Sequence, residues 1–169
     1  MTCLELNWEG PFTFQQFLID PQMRAKYSCS GVYRWDEVGD GREICAYVGK
    51  ASGSPTLFQR HVQHYMGYIG GTYSIPGEYR RSGKPWALDV RDEAVVSTLL
   101  NKEQFVLLIE EAFEYTQKLK IFLACTPPES VSVIERNLLY QLRPTRTTWG
   151  TLTVPGQPLE ISHRGAFPP

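Results

Sequence analysis

Hydrophobic residues follow strand patterns in three stretches and recur at helical spacing in four others. Two strand patterns flank a glycine and aspartate turn at residues 37–41, which predicts a β-hairpin over about 31–49. A nearly continuous apolar run at 120–125 predicts a third strand that is covered on both faces. The helical patterns lie at about residues 14–19, 54–66, 101–115 and 126–143.

The helix after the hairpin has two distinct predicted faces. Arg60 and His64 are four residues apart, so they share one face and can point at a single ligand. The other face is predicted to be the apolar stripe that packs inward. Its members are Phe58, Val62, Tyr65 and Met66.

The last predicted helix has an apolar stripe with a carboxylate at its edge. Glu135 lies three residues before Leu138 and four after Val131, both of which belong to the stripe. A charge at the edge of a buried face is costly unless something pairs with it. Glu135 is therefore a candidate functional residue.

The remaining stretches have weaker patterns. Residues 1–12 are predicted to be an irregular lead-in, and residues 67–98 are interrupted by glycine and proline, with one strand expected at 86–90. The C-terminal residues are predicted to form an extended tail with one strand at 151–154.

These elements predict a small α/β or α+β sandwich, in which a three-stranded mixed sheet, made of the hairpin and a third strand, is flanked by helices. We expect one domain over 1–169, with a core at about 30–147. An inserted loop region is expected at about 67–100 and an extended tail at 148–169.

Composition limits the classes of protein that are compatible with the chain. It has 169 residues, of which 42% are hydrophobic, and a formal net charge of −1, which argues against binding nucleic acid through an overall basic surface. We expect a cytoplasmic protein without a membrane span, because the first residues lack a secretory pattern and no long apolar run occurs. The four cysteines form no C-x-x-C pair, so buried free thiols are expected.

Two tripeptides in the predicted hairpin, Gly31-Val32-Tyr33 and Tyr47-Val48-Gly49, resemble the paired motifs of the GIY-YIG nuclease family. The resemblance continues on the next helix with Arg60 and His64, and on a later helix with Glu135. Each tripeptide alone is a weak signal. The order of all five features is more specific than any one of them.

The resemblance covers about residues 30–66 and 119–147, and the segment between them corresponds to an insertion. The chain departs from the family pattern at one place. The family has an asparagine shortly after the proline that ends the last helix. At the corresponding positions this chain has Thr145, Arg146 and Thr147.

The resemblance implies hydrolysis of a DNA phosphodiester bond with help from a divalent metal, Mg²⁺ or Mn²⁺. Glu135 would hold the metal, which prefers oxygen ligands and keeps several waters. Arg60 would bind a non-bridging phosphate oxygen through its planar guanidinium. Tyr33 is implied to help activate the attacking water, and Tyr47 to orient the site.

Two further residues belong to the expected catalytic set. Because a free phenol has a pKa of about 10, Tyr33 needs a neighbouring cation such as Lys50 or Arg60, or a metal-bound water, to favour its ionised form. His64 is a candidate for orienting the site or relaying the proton.

Basic residues in two clusters are candidate DNA contacts, through phosphate positioning and base readout. These residues are Arg80, Arg81, Lys84, Arg143 and Arg146. An ordinary solvated surface is an equally good interpretation of both clusters. The expected partner is double-stranded DNA, and a homodimer is one option for the oligomeric state.

Each candidate residue alone also has an ordinary structural interpretation. Tyrosines on strands usually pack, and a lone helical glutamate is often paired in a salt bridge. Their convergence favours a nuclease, and the size of the chain suggests a restriction-type enzyme. The alternative is a catalytically silent module of the same fold that binds nucleic acid or another protein.

Overall fold

The computed structural model describes residues 3–39, 41–79, 81, 101–146, 154–156 and 158–168. Its strands are β1 (Cys3–Phe12), β2 (Gly31–Gly39), β3 (Arg42–Ala51), β4 (Leu119–Cys125) and β5 (Glu160–Gly165). Its α-helices are α1 (Phe14–Ile19), α2 (Pro21–Lys26), α3 (Leu57–Ile69), α4 (Lys102–Lys118) and α5 (Pro128–Leu142). A short 3₁₀ helix occupies Gly77–Tyr79.

The strands form one mixed sheet in the order β3-β2-β4-β1-β5, curled into a half-barrel. The prediction of a three-stranded sheet is therefore wrong. The hairpin is present as the antiparallel pair β2 and β3, and the third predicted strand is β4, antiparallel to β2. The two strands that the prediction lacked are β1, which pairs antiparallel with β4, and β5, which pairs parallel with β1.

Both additional strands come from ends of the chain that were predicted to lack regular structure. Residues 1–12, expected to be irregular, contain β1, whose Trp8 is only 1% exposed. The tail contains β5, in which Ile161 is paired with Leu4 of β1. The expected strand at 86–90 and residues 151–153 of the one at 151–154 lie outside the described residues.

The chain divides into two units. One consists of residues 1–61 and 119–169, and it holds the whole sheet together with α1, α2 and α5. The other consists of residues 62–118, which include α4 and most of the predicted insertion. Helix α3 begins in the first unit and ends in the second.

One face of the sheet packs against α5. The predicted stripe of that helix is buried, with Val131, Ile134 and Leu138 each 0% exposed. They pack with Val32 and Val48 of the hairpin and with other aliphatic and aromatic residues of β1 and β4. Burying an Ile or Leu side chain contributes about 1.5–3 kcal/mol to folding, so this face is a main source of stability.

The opposite face of the hairpin is covered by aromatic side chains of α1 and the first turns of α3. Phe14 and Phe17 of α1 are fully buried, and their rings lie 6.0 and 5.1 Å from that of His61. The prediction of the apolar stripe on α3 is wrong for two of its four residues. Val62 and Met66 are 37% and 61% exposed, whereas His61 is 0% exposed.

Two further findings concern the whole chain. Cys29 and Cys125 are joined by a disulfide, so the expectation of free thiols is wrong for this pair. Cys3 and Cys45 are free. Among the helices of the described residues, none has the length and apolar composition needed to cross a bilayer.

Candidate active site

A cavity of about 190 Å³ opens beside the edge strand β3. All the residues that line it belong to the unit that holds the sheet. They are Tyr33, Tyr47, Lys50, Ala51, Ser52, Ser54, Pro55, Arg60 and Glu135. Five of the six residues predicted to be catalytic are thus brought to one cavity, and His64 is the exception.

The two glycines of the tripeptides are required by close approach. Gly49 lies directly opposite Tyr33 in the β2–β3 register, and a Cβ built on it would lie 2.8 Å from Cε2 of Tyr33 and nearer still to the hydroxyl. A Cβ on Gly31 would lie 2.7 Å from Cδ1 of Leu57 and would collide with the carbonyl oxygen of Ala124. Gly49 therefore makes room for the Tyr33 ring, and Gly31 lets β4 and α3 approach the hairpin.

The Tyr33 ring is enclosed by other aromatic rings. Its centroid lies 5.5 Å from that of Trp35 and 6.0 Å from that of Tyr47. The imidazole of His61 meets it edge-on at 4.7 Å. Tyr33 is 0% exposed, whereas Tyr47 is partly exposed.

The Tyr33 hydroxyl is hydrogen-bonded to Arg60 and to Tyr47. Burial raises the pKa of Tyr33 well above its ordinary value of 10.0, and the neighbouring Tyr47 raises it further. Arg60 acts in the opposite direction through its positive charge and its hydrogen bond, but burial is the larger effect. Tyr33 is therefore a protonated phenol near neutral pH.

His61 supports this arrangement and is held in one tautomer. Its Nδ1 lies 2.8 Å from the carbonyl oxygen of Leu57, and its Nε2 accepts a hydrogen bond of 3.1 Å from Nε1 of Trp35. Because the Trp35 indole can only donate, the proton of the imidazole is on Nδ1. Burial lowers the pKa of His61 to about 4, and the nearby charge of Arg60 lowers it as well.

Lys50 and Glu135 meet at the other side of the cavity. The Lys50 Nζ lies 2.7 Å from Oε2 of Glu135 and donates a hydrogen bond of 3.2 Å to the Ser132 hydroxyl. Lys50 and Tyr33 point to opposite faces of the hairpin, because Lys50 is opposite Val32 in the register. Since β3 is an edge strand, residues from both faces reach the same cavity.

The donor set fits a divalent metal only in part. Glu135 is half-buried, with 20% of its side chain exposed, and Mg²⁺ is commonly held by one or two carboxylates together with waters and substrate phosphates. Within the described ranges, no group of three or more His, Cys, Asp or Glu side chains is arranged to hold a metal. Among the residues that line the cavity, Glu135 is the one carboxylate that could bind such a metal.

Two predicted functional residues lie in the second unit. His64 is buried there at 4% exposure, and its ring lies 5.5 Å from that of Tyr73. Arg81 forms ion pairs with Glu114 at 3.1 Å and with Glu110 at 3.6 Å on α4. The predicted DNA contacts Arg80 and Lys84 lie outside the described residues.

The other two predicted DNA contacts differ from each other. Arg143 ends α5 in the left-handed conformation and is exposed, with its guanidinium 5.9 Å from the centroid of the Tyr140 ring. Arg146 is paired through two hydrogen bonds of 3.0 and 3.1 Å with Glu37, which is 0% exposed. The interactions of Arg146 favour a structural role over contact with DNA.

The segment with Arg146 replaces the asparagine of the family pattern. The backbone N–H groups of Thr145 and Arg146 donate to the carbonyl oxygens of Cys45 and Ala46 on β3. This pairing covers part of the edge of β3, next to the ion pair with Glu37. In this chain the position therefore stabilises the edge strand.

Sequence reasoning missed several residues at the site. The sequence-based prediction gave His61 no role, although the aromatic residues of α1 were a signal for a buried ring. Ser132 lies three residues before Glu135, so helical spacing could have placed it on the same face. Ser52 and Ser54 carried no signal beyond their position in the loop after β3.

Comparison of the chain with family models, curated proteins and solved structures finds no match. The resemblance to the GIY-YIG family therefore rests on the motif residues alone.

Proposed function

We propose that the chain is a metal-dependent endonuclease of the GIY-YIG type that hydrolyses phosphodiester bonds in double-stranded DNA. The observation that supports this function is the composition of the cavity. It holds two phenols, a guanidinium, an ammonium group and a carboxylate, contributed by Tyr33, Tyr47, Arg60, Lys50 and Glu135. Phosphodiester hydrolysis needs a proton acceptor for water, cations for the phosphate and help for the leaving oxygen.

The two cations suit the phosphate. Arg60 and Lys50 stabilise the negative charge that builds up on the non-bridging oxygens as water attacks. Lys50 also pairs with Glu135, so this carboxylate is held at the cavity in a fixed position. A divalent metal bound at Glu135 would supply a Lewis acid for the phosphate and the leaving oxygen.

The finer parts of the proposal concern the partner and the setting. Of the two predicted DNA contacts in the first unit, Arg143 is exposed and suits phosphate contact, whereas Arg146 is engaged with Glu37. We propose a restriction-type enzyme, by analogy of fold, acting in the cytoplasm. Because disulfides such as the one between Cys29 and Cys125 are found more often in oxidising compartments, fractionation of the cells that produce the protein tests this location.

Plasmid cleavage with Mg²⁺ or Mn²⁺ tests the function. We expect the wild type to nick supercoiled plasmid and Glu135→Gln to reduce kcat by about 100-fold or more, as loss of a group that stabilises the transition state does. Glu129→Gln is the matched control, because Glu129 is an exposed carboxylate in the first turn of the same helix.

The proposed nuclease activity would be contradicted if the wild type binds plasmid but never nicks it, with either metal and across varied DNA sequences. That result would favour a silent nucleic-acid-binding module. Equal losses of kcat in Glu135→Gln and Glu129→Gln would show that Glu135 has no specific role in cleavage.

A further inference from the structure

Helix α5 runs along the edge strand β3, with the cavity beside its first half. Near the start of the helix, the Ser132 hydroxyl accepts a hydrogen bond from Lys50, which lines the cavity. Beyond the end of the helix, the N–H groups of Thr145 and Arg146 donate to carbonyl oxygens near the start of β3. The helix therefore extends from the cavity along the edge of the sheet.

The side of α5 that points away from the sheet carries two exposed arginines. We call this side the outer face and define it by Ser132, Arg136, Tyr140 and Arg143. Arg136 lies one turn after Ser132, and Arg143 lies two turns after Arg136, so all of them share one side of the helix. At a rise of 1.5 Å per residue the two arginines are about 10.5 Å apart along the helix, a distance that corresponds to roughly three phosphates of one DNA strand.

The arginines of the outer face differ from other exposed cations of the first unit in their pairing. Those other cations are bound to carboxylates, in the pairs Lys26 with Glu9, Lys120 with Glu43, and Arg164 with Glu5. Among the described residues, no carboxylate forms an ion pair with Arg136 or Arg143. Glu129 lies on the same side of α5, but in its first turn, before Ser132. From Ser132 to its end the outer face is therefore positive, although the chain has a net charge of −1.

The backbone conformation of Arg143 disfavours an arginine. Its φ of 45° lies in the left-handed region, where glycine is the usual residue at the end of a helix. A residue with a Cβ is strained in this conformation. The Arg143 guanidinium lies 5.9 Å from the centroid of the Tyr140 ring, so the two side chains lie together on the outer face. Because strained residues persist where they are used, this position suggests a contact made by the guanidinium.

We propose that the outer face of α5 is the surface on which the backbone of double-stranded DNA lies beside the cavity. The inference rests on the proposed function, which takes DNA as the substrate. Arg136 and Arg143 bind phosphates through their planar guanidinium groups. Contacts of this kind are independent of the DNA sequence and fix the position of the strand relative to the cavity.

Fluorescence anisotropy with a labelled DNA duplex of mixed sequence, with EDTA present, measures binding without cleavage. Each phosphate contact contributes about 0.9 to the slope of log K against log salt concentration, because binding releases counterions. We expect Arg136→Gln and Arg143→Gln each to reduce this slope by about 0.9, and the double variant to weaken binding by about tenfold at low salt. Arg24→Gln removes the same charge from an exposed site on α2, and as the control it should leave the slope unchanged.

Arg143→Gly separates a DNA contact from a structural role at the end of the helix. Glycine suits the left-handed conformation, so the melting temperature should stay the same or rise by about 2–4 °C, while DNA binding weakens as in Arg143→Gln. Arg136→Lys keeps the charge and should keep the salt slope of the wild type. A lower melting temperature with unchanged binding in Arg143→Gly would assign Arg143 to the helix end instead.

Plasmid cleavage distinguishes failure of this surface from failure of the proposed function. If the double variant binds DNA with the wild-type slope while the wild type nicks plasmid, the surface is wrong and the nuclease stands. If the double variant shows the expected loss but the wild type never nicks plasmid, the outer face binds DNA in a protein without nuclease activity. A wild type that does not bind the duplex at low salt would contradict both.

Discussion

The two faces of the β2–β3 hairpin are built from the same strands but serve different ends. On one face Val32 and Val48 pack against Ile134 and the rest of the α5 stripe, whose aliphatic side chains need no polar partner. On the other face Tyr33 and Trp35 pack with the rings of α1 and α3, and several of these rings carry polar atoms. The aliphatic part of the first face supplies stability, and Lys50 at its edge reaches the cavity. On the second face the polar atoms of the rings need hydrogen-bond partners, and the hydroxyls of Tyr33 and Tyr47 reach the cavity.

Hydrogen bonds make the aromatic face specific. The Trp35 indole donates to His61, and His61 donates to the backbone of Leu57 at the start of α3. A buried donor left without an acceptor costs about 1–3 kcal/mol, so these partners select one packing among the many that an aromatic cluster allows. The aliphatic face tolerates changes of shape better, because substitutions there alter volume but leave no polar atom unsatisfied.

Ile134→Ala is the largest expected effect on stability, and it acts on the aliphatic face. We expect the free energy of unfolding, measured with urea, to fall by about 2–5 kcal/mol, from lost burial and the cavity left behind. Cleavage per folded molecule should stay unchanged. Ile44→Ala is the matched control, because Ile44 is 40% exposed and its truncation should change stability by about 0.5 kcal/mol or less. Loss of cleavage in folded Ile134→Ala would show that the two faces are not independent.

The same contrast explains what could be predicted from the sequence. The α5 stripe of Val131, Ile134 and Leu138 was predicted correctly, because aliphatic residues at helical spacing have one good interpretation. On α3 the prediction put Val62 inside, and it left His61 without a place in the core. Imidazole is classed as polar, yet a neutral ring with both nitrogens satisfied packs like other aromatic rings.

The strands of the sheet were predicted only where their own sequence pattern is clear. The hairpin and β4 have clear patterns, whereas β1 contains the Gly10-Pro11 pair, and β5 lies in a tail rich in proline. Their mutual pairing joins Cys3 to Glu160, almost the whole chain apart. No periodicity within a short window contains information on such a distant partner.

The candidate site was assembled from motif residues, and their contacts required the structure. Order along the chain suggested that Tyr33, Tyr47, Arg60 and Glu135 belong together, and all four line the cavity. Exposure was not predictable in the same way. Both tyrosines lie on strands with similar neighbours, and the enclosure of Tyr33 depends in part on His61 of α3, which approaches from elsewhere in the chain.

The second prediction is a pH dependence of stability that belongs to the aromatic face. The pKa of His61 is lowered in the folded protein from the ordinary 6.5 to about 4, so folding favours the neutral ring. Its contribution is fully present above about pH 6.5. It declines as the pH falls toward 4, because the unfolded chain then binds a proton that the folded protein does not. The loss amounts to about 3 kcal/mol across this window.

Urea unfolding between pH 7 and pH 4 measures this loss, and His61→Gln should flatten it. Glutamine cannot take up a proton, so the stability of the variant does not change with pH through position 61. The variant should be less stable than the wild type at pH 7. Ile134→Ala is the control and should keep the wild-type slope, since the aliphatic face has no titrating group at that position. An unchanged slope in His61→Gln would assign the acid sensitivity to other groups.

Gly49→Ala should have the smallest effect on stability and the clearest effect on the site. The added methyl group would overlap the Tyr33 ring, and overpacking of this kind costs about 1–3 kcal/mol. Because the ring has to move, its hydroxyl leaves Tyr47 and Arg60, and cleavage per folded molecule should fall by about tenfold or more. Gly156→Ala is the control, since nothing lies within 4 Å of a Cβ built there. If Gly49→Ala is destabilised but cleaves as well as the wild type, the aromatic face contributes to stability and not to cleavage. The two faces then do not differ in function.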